Sequence, residues 1–214
     1  MNSRWSIAQH FEARWWRFYL RNKDLEGYLA WKKQYWEVFL NKTGIVVGQD
    51  TRILDAGCGP AGIFILFPEH EVEAVDPLLD NYQREVPFLQ QPNFKKTAFV
   101  KIPLEQYQTT RPFDLVFCIN AINHVADPDV CLGNLRKASA PGGQLVLTVD
   151  AHNHAFLKTL FRTFPGDILH PHQMDLKEYL GKIEAAGFAI QKTALLKSHF
   201  IFDYHLIIAN PVKI

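Results

Sequence analysis

Between residues 52 and 150, short apolar runs alternate with stretches of mixed polarity, and this alternation organises the chain. Ile53–Leu54, Glu71–Val75, Phe94–Phe99, Phe113–Ile119 and Gln144–Val149 are brief and largely apolar, which predicts five strands. Between them the pattern predicts a short helix ending at Leu66–Pro68 and another running from beyond Pro77 through Tyr82 and Glu85. A further segment follows at Ile102–Gln106, then a helix over Asp129–Ala138, and Pro141–Gly142–Gly143 reads as a turn. Strands alternating with helices predict a parallel sheet covered on both faces.

The flanks read differently. All five tryptophans fall within residues 5–36, and Asn22–Gly27 divides the first 44 residues into two expected helices, 6–21 and 25–41. In the second, Tyr28, Trp31, Tyr35, Val38 and Phe39 form an i, i+3, i+4 stripe, with Lys32, Lys33 and Glu37 off it. The stripe is open to two readings: core packed on the sheet edge, or a lid over a substrate pocket. Ala155–Pro165 (AFLKTLFRTFP) is open likewise, as an amphipathic helix on the sheet or as a pocket wall offering Arg162. Gln173–Leu180 opens the last long helix.

The first strand runs into Gly57, Gly59 and Gly62, the full GxGxxG spacing. A tight turn, close backbone approach and helix packing each favour glycine at these positions, so the turn suits a nucleotide-like cofactor. A lone GxGxxG is weak evidence. Here a second strand follows and ends at Asp76, about 20 residues on, where a carboxylate would grip a ribose diol.

Composition narrows the class. A chain of 214 residues with 48% hydrophobic and 21% charged residues has the make-up of a one-core globular protein. A net charge of +1 gives no broad attraction to nucleic acid or anionic lipid. Cys58, Cys118 and Cys131 show no CxxC spacing, which fits reduced thiols and a cytoplasmic setting. Met1–Arg17 carries four charged side chains and no apolar signal core, and no run reaches the ~18 apolar residues of a membrane span.

Taken in order, ILDAGCGPAG, VEAVDP, FDLVFCINAINHVADP and LRKASAPGGQLVLTV resemble the class I S-adenosylmethionine-dependent methyltransferases, of the small-molecule type. The likeness covers residues 50–150 most strongly and extends to EAAGF (Glu184–Phe188) and FDYHLIIAN (Phe202–Asn210). It implies an α/β, Rossmann-like three-layer sandwich with a seven-stranded, mostly parallel sheet and an antiparallel last strand. An N-terminal helical cap over residues 1–44 would precede a methyltransferase domain over 45–214. The resemblance also implies S-adenosylmethionine as cofactor. Asp55, Gly57, Cys58 and Gly59 would lie against its methionine part, Asp76 with Pro77 at the ribose, and Asn120 and Ala121 beneath it. Many relatives carry an acid after the third strand to read the adenine. This chain has Thr97–Lys101 there, leaving backbone near Phe99 and Val100, or Glu105 further on, for that task.

The implied reaction is methyl transfer to oxygen or nitrogen of a small or medium organic acceptor. The alternatives are a protein side-chain methyltransferase and a non-catalytic cofactor-binding partner subunit. A nicotinamide-dependent oxidoreductase lacks a visible Tyr–Lys pair. A hydroxyl acceptor would need a base, and histidine titrates in the right range. His124 lies in the NHVADP loop, His152 and His154 in DAHNH, and His170 and His172 in LHPHQ. Base or substrate contact, loop fixing and plain packing all remain open for them. A metal site is not expected, because HxH on an extended chain sends its rings to opposite faces.

Overall fold

The computed structural model describes residues 11, 14–16, 18–19, 24–85, 94–154 and 172–212. Seven strands form one sheet: β1 (Ile53–Ala56), β2 (Val72–Val75), β3 (Thr97–Val100), β4 (Phe113–Ile119), β5 (Ser139–His152), β6 (Phe188–Ser198) and β7 (Phe202–Pro211). Their order is β3-β2-β1-β4-β5-β7-β6. The first five run parallel, and β7 is antiparallel to both β5 and β6. Chain order reverses between β1 and β4, and ligands of open α/β sheets bind beyond the carboxyl ends of the strands at such a point.

β1 and β4 read as near-continuous apolar runs because both their faces are covered. On one side Ile53, Phe64, Leu79, Tyr82 and Phe117 form a buried cluster. On the other Leu54, Val116, Leu132, Leu135 and Tyr179 form a second. The helices are α1 (Leu25–Thr43), α2 (Leu79–Glu85), α3 (Pro128–Ala138) and α4 (Leu176–Ala185). Their ends follow local chemistry. Asp24, Asp127 and Asp175 cap α1, α3 and α4 by accepting backbone N–H groups, and Glu178 completes a capping box on α4. Gly44, at φ 74°, closes α1.

Four expectations need correction. No α-helix follows β1; two 3-10 turns, Gly59–Ala61 and Ile63–Leu66, stand there instead. Pro60, Ala61, Ile63, Phe64 and Ile65 are all buried, so the segment has no polar face to present to water as a surface helix would. Phe94 belongs to a turn before β3, and its ring reaches the core 5.3 Å from that of Phe64. β5 begins at Ser139, so the expected Pro141–Gly143 turn lies within it, opposite an irregularity between Phe113 and Leu115. In α1 the buried positions are Tyr28, Trp36, Phe39 and Thr43, whereas Trp31, Tyr35 and Val38 are exposed.

The expected first helix, 6–21, lies partly outside the described residues; Phe11, Arg14–Trp16, Phe18 and Tyr19 are helical. Ala155–Pro165 lies outside them altogether. Tyr28, Trp36 and Phe39 share one buried cluster with Ile53 and Phe117, so α1 packs into the sheet's own core. Among the described residues no helix is long and apolar enough to cross a membrane.

Phe117, fully buried at the centre of β4, is the test of this core. Phe117→Ala should cost about 3–5 kcal/mol of unfolding free energy in chemical denaturation. Leu195→Ala, at a position 55% exposed, should stay within about 0.5 kcal/mol.

Candidate functional site

The carboxyl ends of β1, β2 and β4 are extended by backbone bonds that set the loops beyond them. Gly57 and Cys58 N–H donate to Val75 carbonyl oxygen at 2.7 and 3.1 Å, and Asp76 N–H donates to that of Val100 at 3.2 Å. Asn120 N–H donates to both the carbonyl and the hydroxyl oxygen of Thr148, at 3.2 and 2.9 Å. Asn120 takes φ 50°, a left-handed conformation that asparagine tolerates better than most residues. The Asn123 side-chain amide donates to the Asn120 side-chain oxygen at 3.1 Å.

The turn after β1 is tight on two sides. Gly57 has φ 77°, and a Cβ there would lie 2.3 Å from that of Ala121. A Cβ at Gly62 would lie 2.3 Å from an Asp55 carboxylate oxygen. Glycine is required at both, at the first by conformation and contact and at the second by contact alone.

Two carboxylates are buried beneath this turn. Asp55 accepts from Phe64 N–H at 3.0 Å. Asp76 accepts from Gly59 N–H at 3.0 Å and Leu78 N–H at 2.8 Å through its two oxygens. Burial is the main influence on both, raising Asp55 to about 7 and Asp76 to about 6, against the opposing pull of the backbone donors.

Above them opens a cavity of about 650 Å³. Asp55, Gly57, Cys58, Gly59, Asp76, Pro77, Asn120, Ala121 and His124 all line it. The structure therefore brings together nine of the residues singled out from sequence. Phe99 and Val100 are not among its described lining; the Phe99 ring packs 5.3 Å from Phe64. Glu105 lines the wall but accepts from Ala126 and Asp127 N–H at 2.6 and 3.2 Å, so it anchors the loop after β4.

The histidines separate. His124 lines the cavity. His152 is buried, contacts the Gln173 side chain and packs on Phe202. His154 is exposed near Phe200, and His172 shares a 2.8 Å hydrogen bond with Val125 carbonyl oxygen. Neither His154 nor His172 is among the described lining, and His170 lies outside the described residues. Among the described residues no group of three or more His, Cys, Asp or Glu could hold a metal.

Other wall residues lie outside the motifs, although Tyr28 and Tyr35 belong to the stripe read as core or as a lid. Lys32, Tyr35 and Trp36 come from α1, Asp150 from β5, Lys197 from β6 and Tyr204 from β7. The Trp36 indole N–H donates to Ala61 carbonyl oxygen at 3.0 Å, tying α1 to the glycine turn. The Tyr204 hydroxyl shares a 2.7 Å hydrogen bond with that of Thr148. Lys32 was legible only as an interruption of the aromatic stripe. The register that brings Asp150 opposite Tyr204, and Tyr204 opposite Lys197, had no local signature.

Comparison with known proteins agrees with this architecture. A family described as a methyltransferase domain matches residues 23–193. The ubiquinone biosynthesis O-methyltransferase of Rickettsia bellii (strain OSU 85-389) is 28% identical over 111 residues, covering 50% of this chain and 46% of that protein. The chain thus spans about half the length of the curated relatives it matches. The structure of Burkholderia thailandensis 1,6-didemethyltoxoflavin-N1-methyltransferase, with 1,6-didemethyltoxoflavin and S-adenosylhomocysteine bound, is similar with a TM-score of 0.66 at 15% identity, covering 100% of this chain and 92% of that one. Haemonchus contortus phosphoethanolamine N-methyltransferase 2, in complex with S-adenosyl-L-methionine, has a TM-score of 0.65 at 16% identity, covering 82% and 52%. At such identities the two structures speak for the fold. With the family match spanning most of the chain, the protein belongs to the methyltransferase-domain family, of the class I, Rossmann-like, S-adenosylmethionine-dependent type.

Proposed function

We propose that this chain transfers the methyl group of S-adenosylmethionine to oxygen or nitrogen of a small or medium organic acceptor. The observation that carries the reading is Asp76, a buried carboxylate facing the cavity at the end of β2 with a backbone N–H on each oxygen. Two lone-pair sites, one per oxygen, remain for a vicinal diol. The turn also leaves room for a ligand against its backbone, since an added Cβ on Gly59 would meet nothing within 4 Å.

When bound, S-adenosylmethionine supplies a sulfonium methyl already activated towards displacement. The chain's task is then to align an acceptor and exclude water. In this reading Asp76 holds the ribose hydroxyls, with Pro77 beside it. Asp55, Gly57, Cys58 and Gly59 border the methionine part, and Asn120 and Ala121 support the cofactor from below. Phe99 and Val100 sit behind this wall and contribute packing. Of the five histidines singled out from sequence, His124 is the base candidate that lines the cavity. A net charge of +1 favours a small acceptor over nucleic acid, and the buried, unpaired thiols of Cys58, Cys118 and Cys131 suit a cytoplasmic setting.

The first experiment is calorimetric titration with S-adenosylhomocysteine, with NADH as control. Micromolar binding of the first alone is expected; binding of NADH in its place would overturn the reading. Asp76→Ala should weaken S-adenosylhomocysteine at least tenfold, on the ~1.5–3 kcal/mol scale of hydrogen bonds to a charged group. Unchanged affinity would remove Asp76 from the ribose.

The pH dependence follows from the same carboxylate. Because burial raises Asp76 to about 6, lowering the pH through that value adds a proton and removes acceptor capacity. Affinity for S-adenosylhomocysteine should show a limb below about pH 6 from Asp76, separate from the protonation of Asp55 near 7. Asp76→Asn should abolish that limb and Asp55→Asn should retain it.

A further inference from the structure

We infer that the acceptor is an aromatic anion, a flat ring bearing a carboxylate or another group ionised at neutral pH, and that Lys32 is the residue selecting it. The inference rests on the methyl-transfer reading above and assigns a substrate class to the acceptor end of the same cavity.

Lys32 lies on the inward side of α1, four residues from both Tyr28 and Trp36, and lines the cavity. Its ammonium stands 4.9 Å from the Trp36 ring centroid, 5.2 Å from that of Tyr35 and 5.6 Å from that of Trp31. All three lie within cation–π range, so the long side chain is held in one region. Trp36 is itself fixed by its bond to Ala61, which places this cation beside the glycine turn. Among the described residues no carboxylate lies within 4 Å of the Lys32 ammonium.

The carboxylates around the same cavity differ. Asp55, Asp76 and Glu105 each accept at least one backbone N–H. Of these, Asp55 is the one whose charge reaches Lys32, and it opposes without cancelling the loss of hydration that lowers Lys32 to about 8. A partly desolvated ammonium beside the rings of Tyr35 and Trp36, which share the cavity wall, offers an aromatic anion a charge partner in aromatic surroundings. Lys197 adds a second cation at the exposed rim, with no carboxylate paired to it among the described residues. Asp150 also faces this end, from β5, with the Tyr204 strand between it and Lys197. An anion is therefore directed to the α1 wall, away from β5.

The test uses the whole chain as wild type, Lys32→Met and Lys32→Arg. Tryptophan fluorescence, to which the cavity-lining Trp15, Trp16 and Trp36 contribute, follows titration with benzoate, 4-hydroxybenzoate and 2-naphthoate, each beside its methyl ester, with and without S-adenosylhomocysteine. At least one acid should bind the wild type about tenfold or more tightly than its ester, as expected for a partly desolvated charge pair. Lys32→Met should reduce that preference to within about twofold, and Lys32→Arg should keep most of it. Affinity for S-adenosylhomocysteine, measured separately, should fall in Lys32→Met by clearly less than affinity for the acids does.

The inference is overturned if no acid is preferred over its ester by the wild type, or if the preference survives Lys32→Met. It is overturned equally if Lys32→Met weakens S-adenosylhomocysteine as much as it weakens the acids, since Lys32 would then serve the cofactor end. Failure of S-adenosylhomocysteine to bind the wild type would sink the methyl-transfer reading. The acid–ester comparison without cofactor would still decide whether Lys32 selects anions.

Discussion

Two carboxylates buried at the ends of neighbouring parallel strands constrain everything around them. Asp55 and Asp76 retain only 2% and 7% of their exposure, so little water is left to solvate either charge. Backbone N–H groups do that work instead, from Gly59 and Leu78 for Asp76 and from Phe64 for Asp55. To aim Gly59 N–H at Asp76 the chain must turn at Gly57, against Ala121, where the loop after β4 begins. To bring Phe64 N–H onto Asp55 it must pass Gly62 so closely that no side chain fits. The loops after β1, β2 and β4 are thus parts of one solution to one desolvation problem.

This explains which parts of the molecule the sequence disclosed. The strands were legible because a parallel strand covered on both faces reads as an uninterrupted apolar run, as FDLVFCI does. The glycines and Asp76 were legible because the turn's geometry allows few residue types there. The segment after β1 was misread because Ile63, Phe64 and Ile65 are buried together, which removes the periodicity that separates a surface helix from a buried turn. Phe94 was misread for a related reason, since its hydrophobicity reports core contact from a turn.

The side of the cavity formed by α1, β5, β6 and β7 was hidden for a different reason. Asp150 meets Tyr204 through antiparallel pairing of strands more than 50 residues apart, which no local pattern records, while Lys197 meets Tyr204 across the β6–β7 hairpin. The two HxH pairs looked equivalent in sequence, yet β5 buries His152 against Gln173 and leaves His154 exposed. In α1 the expected stripe was displaced because the helix packs partly against a cavity. A helix facing solid core selects apolar residues on its inner side, whereas one facing a cavity accommodates Lys32 between Tyr28 and Trp36.

The cavity therefore has two ends built by different means. At one end the wall is mainly backbone, and side-chain identity matters chiefly as the absence of a side chain at Gly57 and Gly62. At the other the wall is side chains from α1 and the β6–β7 hairpin, elements whose own stability comes from packing and strand pairing elsewhere. The hydrogen bonds of the carboxylate network beneath the turn involve none of Lys32, Lys197 or Tyr204. The Trp36–Ala61 bond joins the two ends, so a shift of α1 is carried to the glycine turn through it. The two ends are in this way separable in side chains yet coupled through one helix.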